Sequence, residues 1–75
     1  MDENLLEKLK AWRGARSREL KVPAFVVFTD ATLMAIAEQR PTDDGALVAI
    51  SGIGATKLER FGAEILDVIR STMGS

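Results

Sequence analysis

The most specific local signal in the sequence is Ile50-Ser51-Gly52-Ile53-Gly54-Ala55-Thr56-Lys57. Its alternation of apolar residues and glycines, followed by helix-forming residues, predicts a tight turn between two helices, because glycine accepts positive φ. Such a turn exposes backbone N–H groups at the start of the second helix, where a phosphate can bind. Lys57 would add a charge-assisted contact. Two interpretations stay open: a phosphate site built on Gly52, Gly54 and Lys57, or a corner in which the glycines only permit close packing.

The chain before this turn has the pattern of helices. Residues 4–21 carry apolar side chains at spacings of three and four, which predicts one long helix. Val22-Pro23 ends that helix, because a proline disfavours helical geometry in the residue before it. Thr29-Asp30 is a capping pair that starts another helix, which runs to about Gln39 and stops at Arg40-Pro41.

The residues on both sides of the glycine turn are also predicted to be helical. Thr42-Asp43-Asp44 repeats the capping signal and starts a short helix that leads into the turn. After the turn we predict a helix from Ala55 to about Phe61, an interruption at Gly62, and a last helix from Ala63 to about Thr72.

Length and composition limit the chain to one small domain. The sequence has 75 residues, of which 47% are apolar and 28% charged. We predict a single all-α domain over residues 1–75, folded as a compact bundle of about five helices with a helix–hairpin–helix-like turn. The absence of cysteine and histidine excludes disulfides and thiolate zinc sites and removes the commonest general base.

The same composition restricts the location and the chemistry of the protein. No apolar run approaches the roughly 18 residues that span a bilayer, and the charged start is unlike a signal peptide. The carboxylates do not cluster at a spacing that suits a metal. We therefore expect a soluble, cytoplasmic monomer that needs no cofactor, metal or membrane and is not an enzyme by itself.

The distribution of charge is more informative than the net charge of −1. That net charge excludes a strongly cationic nucleic-acid binder, yet residues 8–21 carry six positive side chains against a single negative one. This segment is either a solvated surface or a modest phosphate-binding patch where Arg18 and Lys21, with Arg16, meet the following turn. Arg13 lies on the apolar stripe, and for it we favour a structural role in binding carbonyl groups at a neighbouring helix end.

The apolar run Ala-Phe-Val-Val-Phe at residues 24–28 has an ambiguous conformation. Its residue types favour a strand, but no second strand is available for pairing, so we predict a buried turn of helix or 3₁₀ segment. A ring exposed at Phe25, beside Lys21, would be a stacking platform for single-stranded bases, whereas aromatic residues in such runs more often belong to the core. Phe25 and Phe28 fall on similar faces, so the pattern does not decide which ring is exposed. Trp12 is equally ambiguous between the edge of the core and an exposed flank.

Four separated blocks of the sequence are informative when they are taken together. They are Leu9-Lys10-Ala11-Trp12-Arg13; Val22-Pro23-Ala24-Phe25-Val26-Val27-Phe28-Thr29-Asp30-Ala31-Thr32-Leu33; Ile36-Ala37-Glu38 with Arg40-Pro41; and Ile50-Ser51-Gly52-Ile53-Gly54 with Lys57-Leu58-Glu59-Arg60-Phe61-Gly62 and Ile65-Leu66. In this order and spacing, over a core of roughly residues 5–70, they resemble the helicase-and-RNase-D C-terminal (HRDC) domain. Bacterial RecQ-type DNA helicases look most similar, and related domains occur in UvrD-like helicases and ribonuclease D.

The resemblance implies an auxiliary domain, without ATPase activity, of an ATP-dependent DNA helicase of DNA repair and recombination. Such domains bind single-stranded or partly duplex DNA weakly and tune the choice of substrate, here at the nucleoid. In RecQ-like members an aromatic residue, usually Tyr, follows Val-Pro-x near the DNA, and Phe25 stands there without the hydroxyl. Lys21 matches the basic neighbour and Lys57 the basic position of the hairpin. Thr56 stands where a second cation can occur, so we expect weaker binding than in the more basic members.

The predicted nucleic-acid contacts comprise two basic segments, one aromatic ring and the glycine turn. They are Arg16, Arg18, Lys21, Phe25, Gly52, Gly54 and Lys57. An alternative of another class is a protein-interaction or regulatory domain that docks on the parent helicase core through the acidic residues Asp43, Asp44, Glu59, Glu64 and Asp67. The equivalent domain of a UvrD-like helicase or of ribonuclease D is a further alternative.

Overall fold

The structure is a computed structural model that describes residues 2–72, and it contains five helices and no strand in that range. They are α1 (Glu3–Leu20), α2 (Ala24–Val27), α3 (Asp30–Gln39), α4 (Asp44–Val48) and α5 (Ala55–Ser71). The predicted all-α bundle of about five helices is confirmed. Among these helices none has both the length and the apolar composition that crossing a membrane requires.

Local capping chemistry sets the starts of three helices. The carboxylate of Asp2 accepts a hydrogen bond from the backbone N–H of Leu5 (3.0 Å) at the start of α1. The hydroxyl of Thr29 accepts from the N–H of Thr32 (3.3 Å) at α3, and Asp43 accepts from that of Ala46 (2.8 Å) at α4. The last two starts lie where the capping signals predicted them.

Lys21 ends α1 one residue before the predicted Val22-Pro23 boundary. It adopts the left-handed conformation, with φ of 58°. The backbone N–H of Val22 then donates to the carbonyl of Ser17 (3.0 Å), and that of Lys21 to Arg18 (3.2 Å). These bonds satisfy two carbonyls that the last turn would otherwise leave unpaired, and they turn the chain toward α2.

The predicted interruption at Gly62 is wrong, because α5 continues through it from Ala55 to Ser71. Glycine in a helix interior costs about 1 kcal/mol relative to alanine, which motivated the prediction. Gly62 is buried, and a Cβ atom there would lie 2.9 Å from Cδ1 of Leu58 and 3.8 Å from Cδ2 of Leu47. The missing side chain therefore leaves space for the side chain of Leu58, one turn earlier on the same helix, while Leu47 of α4 lies at ordinary contact distance.

The core is a continuous apolar cluster with an aromatic centre. The rings of Trp12, Phe28 and Phe61 contact one another, with centroid separations of 6.0, 5.7 and 5.7 Å. Trp12 lies at the edge of the core, where its indole N–H donates to a carboxylate oxygen of Glu64 (2.9 Å). The buried apolar residues are Leu5, Leu9, Val27, Phe28, Leu33, Ile36, Ala37, Leu47, Ile50, Ile53, Phe61, Ile65, Leu66 and Ile69.

The two glycines of the turn respond differently to an added side chain. Gly52 has φ of +95°, and a Cβ atom there would lie 2.3 Å from the hydroxyl oxygen of Thr32. We expect Gly52→Ala to lower the free energy of unfolding by about 1–3 kcal/mol, because the substitution adds both backbone strain and a steric clash. Urea unfolding followed by the fluorescence of Trp12 measures this change.

Gly54→Ala is the matched control. Gly54 has φ of −92°, and a Cβ atom added there would meet no other atom within 4 Å. Alanine restricts the unfolded chain but is a poorer helix N-cap, so these effects oppose each other and stability should change by less than about 0.5 kcal/mol. Equal losses in the two variants would contradict the turn geometry.

Candidate nucleic-acid interface

Two cations from other helices hold α2 and the segment that follows it. The Nζ atom of Lys57, in the first turn of α5, donates to the carbonyl oxygens of Val26 and Val27, at 2.5 Å each. The guanidinium of Arg13, in α1, donates to the carbonyl of Phe28 (2.9 Å) and pairs with Asp30 (2.8 Å). The predicted structural role of Arg13, in binding carbonyls at a neighbouring helix end, is confirmed.

The two phenylalanines of this segment have opposite environments. Phe25 is 67% exposed, whereas Phe28 is 2% exposed. Phe28 follows the last residue of α2 with an extended backbone (φ −153°, ψ 149°), so its side chain leaves the helical face that it would share with Phe25. The segment is a turn of helix as predicted, but it is not a buried one, because Phe25 and Val26 face solvent.

The cations at the end of α1 differ in how far their charge is neutralised. Arg16 is half-buried, lies 3.1 Å from Glu19 and 3.2 Å from Glu64, and stacks over the ring of Phe61. Arg18 and Lys21 are exposed, and neither takes part in an ion pair within residues 2–72. Of the three predicted phosphate contacts on α1, these two have their full charge available.

Lys57 occupies a less accessible position than its sequence context indicates. Its ammonium lies 5.1 Å from the centroid of the Phe28 ring and 5.9 Å from that of Phe61. Burial lowers the pKa of Lys57 below its usual range, and the nearby charge of Arg60 lowers it further. Since two of its N–H groups already donate to carbonyls, a phosphate contact of Lys57 stays a prediction with little donor capacity left.

The glycine turn is a tightly packed corner, as one of the two interpretations predicts, and the phosphate site stays a prediction. Ile50 and Ile53 are buried, and the hydroxyl of Thr32 donates to the carbonyl of Ser51 (3.4 Å), so the turn packs tightly against α3. No side chain caps the first turn of α5 after Gly54, so backbone N–H groups remain available there. Because Lys57 in that same turn binds α2, the glycine turn and Phe25 lie at the same end of the molecule.

Sequence reasoning missed one cation at this end. Arg60 is exposed, its guanidinium carbon lies 5.1 Å from the centroid of the Phe61 ring, and it has no ion pair in the described part of the chain. Its position three residues after Lys57 places it on the same face of α5. That spacing is the signal that could have identified it.

A comparison of the sequence with models of known protein families found a match. The family model of the HRDC domain matches residues 2–69.

The chain belongs to the HRDC domain family.

Relatives of this HRDC domain occur in two classes of helicase. It is 59% identical over 70 residues, 93% of the chain, to the ATP-dependent DNA helicase UvrD2 of Mycobacterium tuberculosis. It is 38% identical over 69 residues, 92% of the chain, to the ATP-dependent DNA helicase RecQ of Pasteurella multocida. The aligned residues are 10% and 11% of those two proteins, so the chain spans about a tenth of the length of the curated relatives that it matches.

Solved structures of HRDC domains have the same fold. The third HRDC domain of RecQ from Deinococcus radiodurans superposes with a TM-score of 0.95 and is 35% identical, with 100% of this chain and 99% of that chain covered. The HRDC1 domain of the same helicase gives a TM-score of 0.69 at 43% identity, with both chains fully covered. The predicted resemblance to HRDC domains is confirmed, and the identity to UvrD2 exceeds the identity to the P. multocida RecQ.

Most of the acidic residues that motivated the docking alternative have partners inside this HRDC domain. Asp43 caps α4, and Glu64 accepts a hydrogen bond from Trp12 and pairs with Arg16. Asp67 pairs with Arg70. Within residues 2–72, no group of three acidic side chains is arranged to hold a metal ion.

The Arg13–Asp30 pair gives a prediction on acid titration. The hydrogen bond and the charge of Arg13 hold the pKa of Asp30 below its ordinary value of 3.8. We expect Arg13→Gln to raise this pKa toward the ordinary value, as measured by NMR titration of the carboxyl carbon. Because the folded-state pKa is lowered, the ionised pair stabilises the fold above the unfolded pKa, and this stabilisation is lost as the pH falls through the folded pKa.

Lys10→Gln is the control for this titration. Lys10 is the weakest of the charges that lower the pKa of Asp30. It should therefore produce a smaller upward shift than Arg13→Gln, while the Arg13 contact with Phe28 remains. A larger shift in Lys10→Gln would contradict the pairing.

Proposed function

We propose that this HRDC domain is a non-catalytic auxiliary domain of an ATP-dependent DNA helicase and that it binds single-stranded or partly duplex DNA weakly. Binding would influence which DNA structures the helicase engages. The observation that carries the proposal is the Phe25 ring, which is 67% exposed and is preceded along the chain by two exposed cations, Arg18 and Lys21.

A single-stranded polynucleotide suits this arrangement. A base can stack on an exposed aromatic ring, which contributes about 1–3 kcal/mol per base, while neighbouring cations contact the backbone. Lys21 ends α1 and Phe25 lies in α2, so the two exposed residues are four positions apart in the chain, and we propose that they contact the same strand. The N–H of Ile53, after Gly52, already donates to the carbonyl of Ile50 (3.1 Å), so a second phosphate would bind at the N–H groups that follow Gly54.

The low charge of the domain argues for weak binding. The net charge is −1, and Arg16 shares its charge with Glu19 and Glu64. With few phosphate contacts, we expect a Kd in the non-specific range of about 10⁻⁴ to 10⁻⁶ M at physiological salt. Such an affinity suits a domain that acts while its helicase is already on the DNA, because tethering raises the effective concentration.

The parent protein is part of the proposal. The 59% identity to UvrD2 favours a UvrD2-like helicase, and the TM-score of 0.95 to a RecQ domain keeps a RecQ-like helicase as the second candidate. Either helicase would place the domain in the bacterial cytoplasm at the nucleoid. We propose that the domain itself acts as a monomer.

The salt dependence of binding tests the phosphate contacts. Two contacts, from Arg18 and Lys21, predict that the logarithm of the binding constant falls with the logarithm of salt concentration with a slope of about −1.4 for a single strand. Lys21→Gln should weaken binding and bring the slope to about −0.7. Fluorescence anisotropy of a labelled oligothymidine across a series of salt concentrations measures both values.

Lys8→Gln removes the same charge from the same helix and serves as the control. Lys8 is exposed and precedes Lys21 by about 20 Å along the axis of α1, so it should leave the slope unchanged. No binding by the unaltered domain at low salt would overturn the proposed function. Equal effects of Lys8→Gln and Lys21→Gln would overturn the assigned surface.

Substitution of the Phe25 ring tests the stacking contact. We expect Phe25→Leu to reduce the affinity for single strands by about fivefold or more at unchanged salt slope, because stacking is lost and the charges remain. Phe25→Tyr keeps the ring and should bind at least as well as the unaltered domain. NMR titration with a short single strand measures both affinities, and equal affinity of Phe25→Leu and the unaltered domain would contradict stacking.

A further inference from the structure

The ammonium of Lys57 is committed to the backbone of α2. It donates to the carbonyls of both Val26 and Val27, which precede it by 31 and 30 residues in the chain. Its methylene stem brings the charge over the ring of Phe28 (5.1 Å), on the inner side of the same segment. The side chain therefore joins the start of α5 to the end of α2.

α2 needs such a contact because it is too short to be stable alone. It contains four residues, and fixing so few residues in helical geometry is unfavourable without tertiary contacts. Within α2, the N–H of Phe28 donates to the carbonyl of Ala24 at 3.3 Å. The carbonyls of the last turn have no helical partner, and a cation at a helix C-terminus satisfies them and complements the helix dipole.

α2 also packs against α1, but its outer half is exposed to solvent. Phe25 and Val26 are largely exposed, and only Val27 and Phe28 enter the core. Arg13 binds the carbonyl of Phe28 and Asp30, which lie beyond the end of α2. The orientation of Phe25 thus depends on the single helical turn that Lys57 binds.

We propose that Lys57 is a positioning residue that acts on DNA through α2, by holding the Phe25 ring in its stacking orientation, and not by contact with a phosphate. This inference rests on the proposed function. Lys57 is thereby changed from a predicted phosphate contact to a residue that binds α2. Arg60, one turn later on α5, remains as an exposed cation near it.

The first arm of the test needs no DNA. Lys57→Met removes the donors and keeps an unbranched apolar stem. We expect the amide of Phe28 to exchange with solvent about tenfold faster or more in native-state hydrogen exchange by NMR, because loss of a charge-assisted hydrogen bond loosens the turn. Arg60→Met removes the same charge from the same helix. Because Arg60 makes no hydrogen bond to α2 in the described residues, this variant should leave the exchange rate unchanged.

The second arm separates positioning from direct contact. Lys57→Met should reduce the affinity for oligothymidine about fivefold while the salt slope stays the same, whereas loss of a direct phosphate contact would change the slope by about 0.7. In the Phe25→Leu background, Lys57→Met should have no further effect, because both changes remove the same stacking interaction. Additive losses, or a slope reduced by about 0.7, would overturn the inference.

The two arms also separate this inference from the proposed function. An unaltered domain that binds no oligothymidine refutes the function, and the DNA role of Lys57 fails with it. An unaltered domain that binds, together with an unchanged exchange rate of the Phe28 amide in Lys57→Met, refutes the inference alone. Should Lys57→Met not fold, Lys57→Gln takes its place, because its shorter side chain keeps a neutral NH2 donor group. It should give an intermediate exchange rate and an intermediate affinity, and unchanged values of both would refute the inference.

Discussion

Three successive backbone carbonyls, those of Val26, Val27 and Phe28, are bound by cations from two other helices, and the arrangement of the domain depends on this contact. Lys57 reaches them from α5 and Arg13 from α1. The contact satisfies both partners, because partly buried cations need hydrogen-bond acceptors and the carbonyls at a helix end need donors. Two helices, α1 and α5, are thereby joined to the segment of α2 and Phe28, and the same contacts hold the backbone next to the exposed ring of Phe25.

This use of cations explains why net charge is a poor guide to the surface. Arg13 and Arg16 belong to the basic segment of α1, yet the first binds backbone and Asp30 while the second pairs with Glu19 and Glu64. Within residues 2–72, four cations of this segment are exposed and take part in no ion pair: Lys8 and Lys10 in the first half of α1, and Arg18 and Lys21 at its end. A domain with a net charge of −1 therefore presents a local basic surface, and the few cations in it account for the weak binding that we propose.

The comparison of sequence with structure separates local from tertiary causes. The starts of α3 and α4 were predictable because Thr29 and Asp43 act within three residues of themselves. Arg13 was predictable because a cation on an apolar stripe must find acceptors. The continuity of α5 through Gly62 was not, since Gly62 is buried in the folded domain and the local pattern does not show that burial. The site was only partly predictable. Helical spacing cannot tell which of Phe25 and Phe28 is exposed, because Phe28 lies in extended backbone. Nothing near Lys57 in the sequence indicates that it binds carbonyls 30 residues away.

The placement of the aromatic residues bears on why Phe25 is exposed. The chain has three phenylalanines and one tryptophan, and Phe28, Phe61 and Trp12 build the centre of the core. Burial of a fourth ring would add about 1.5–3 kcal/mol, a large gain for a domain of 75 residues whose stability is marginal. Phe25 is exposed and does not contribute this free energy, while Lys57 holds the backbone next to its ring. A ring on an ordered turn loses less conformational entropy on binding than one on a mobile loop, so an exposed and well-held Phe25 lowers the cost of the base stacking that we propose.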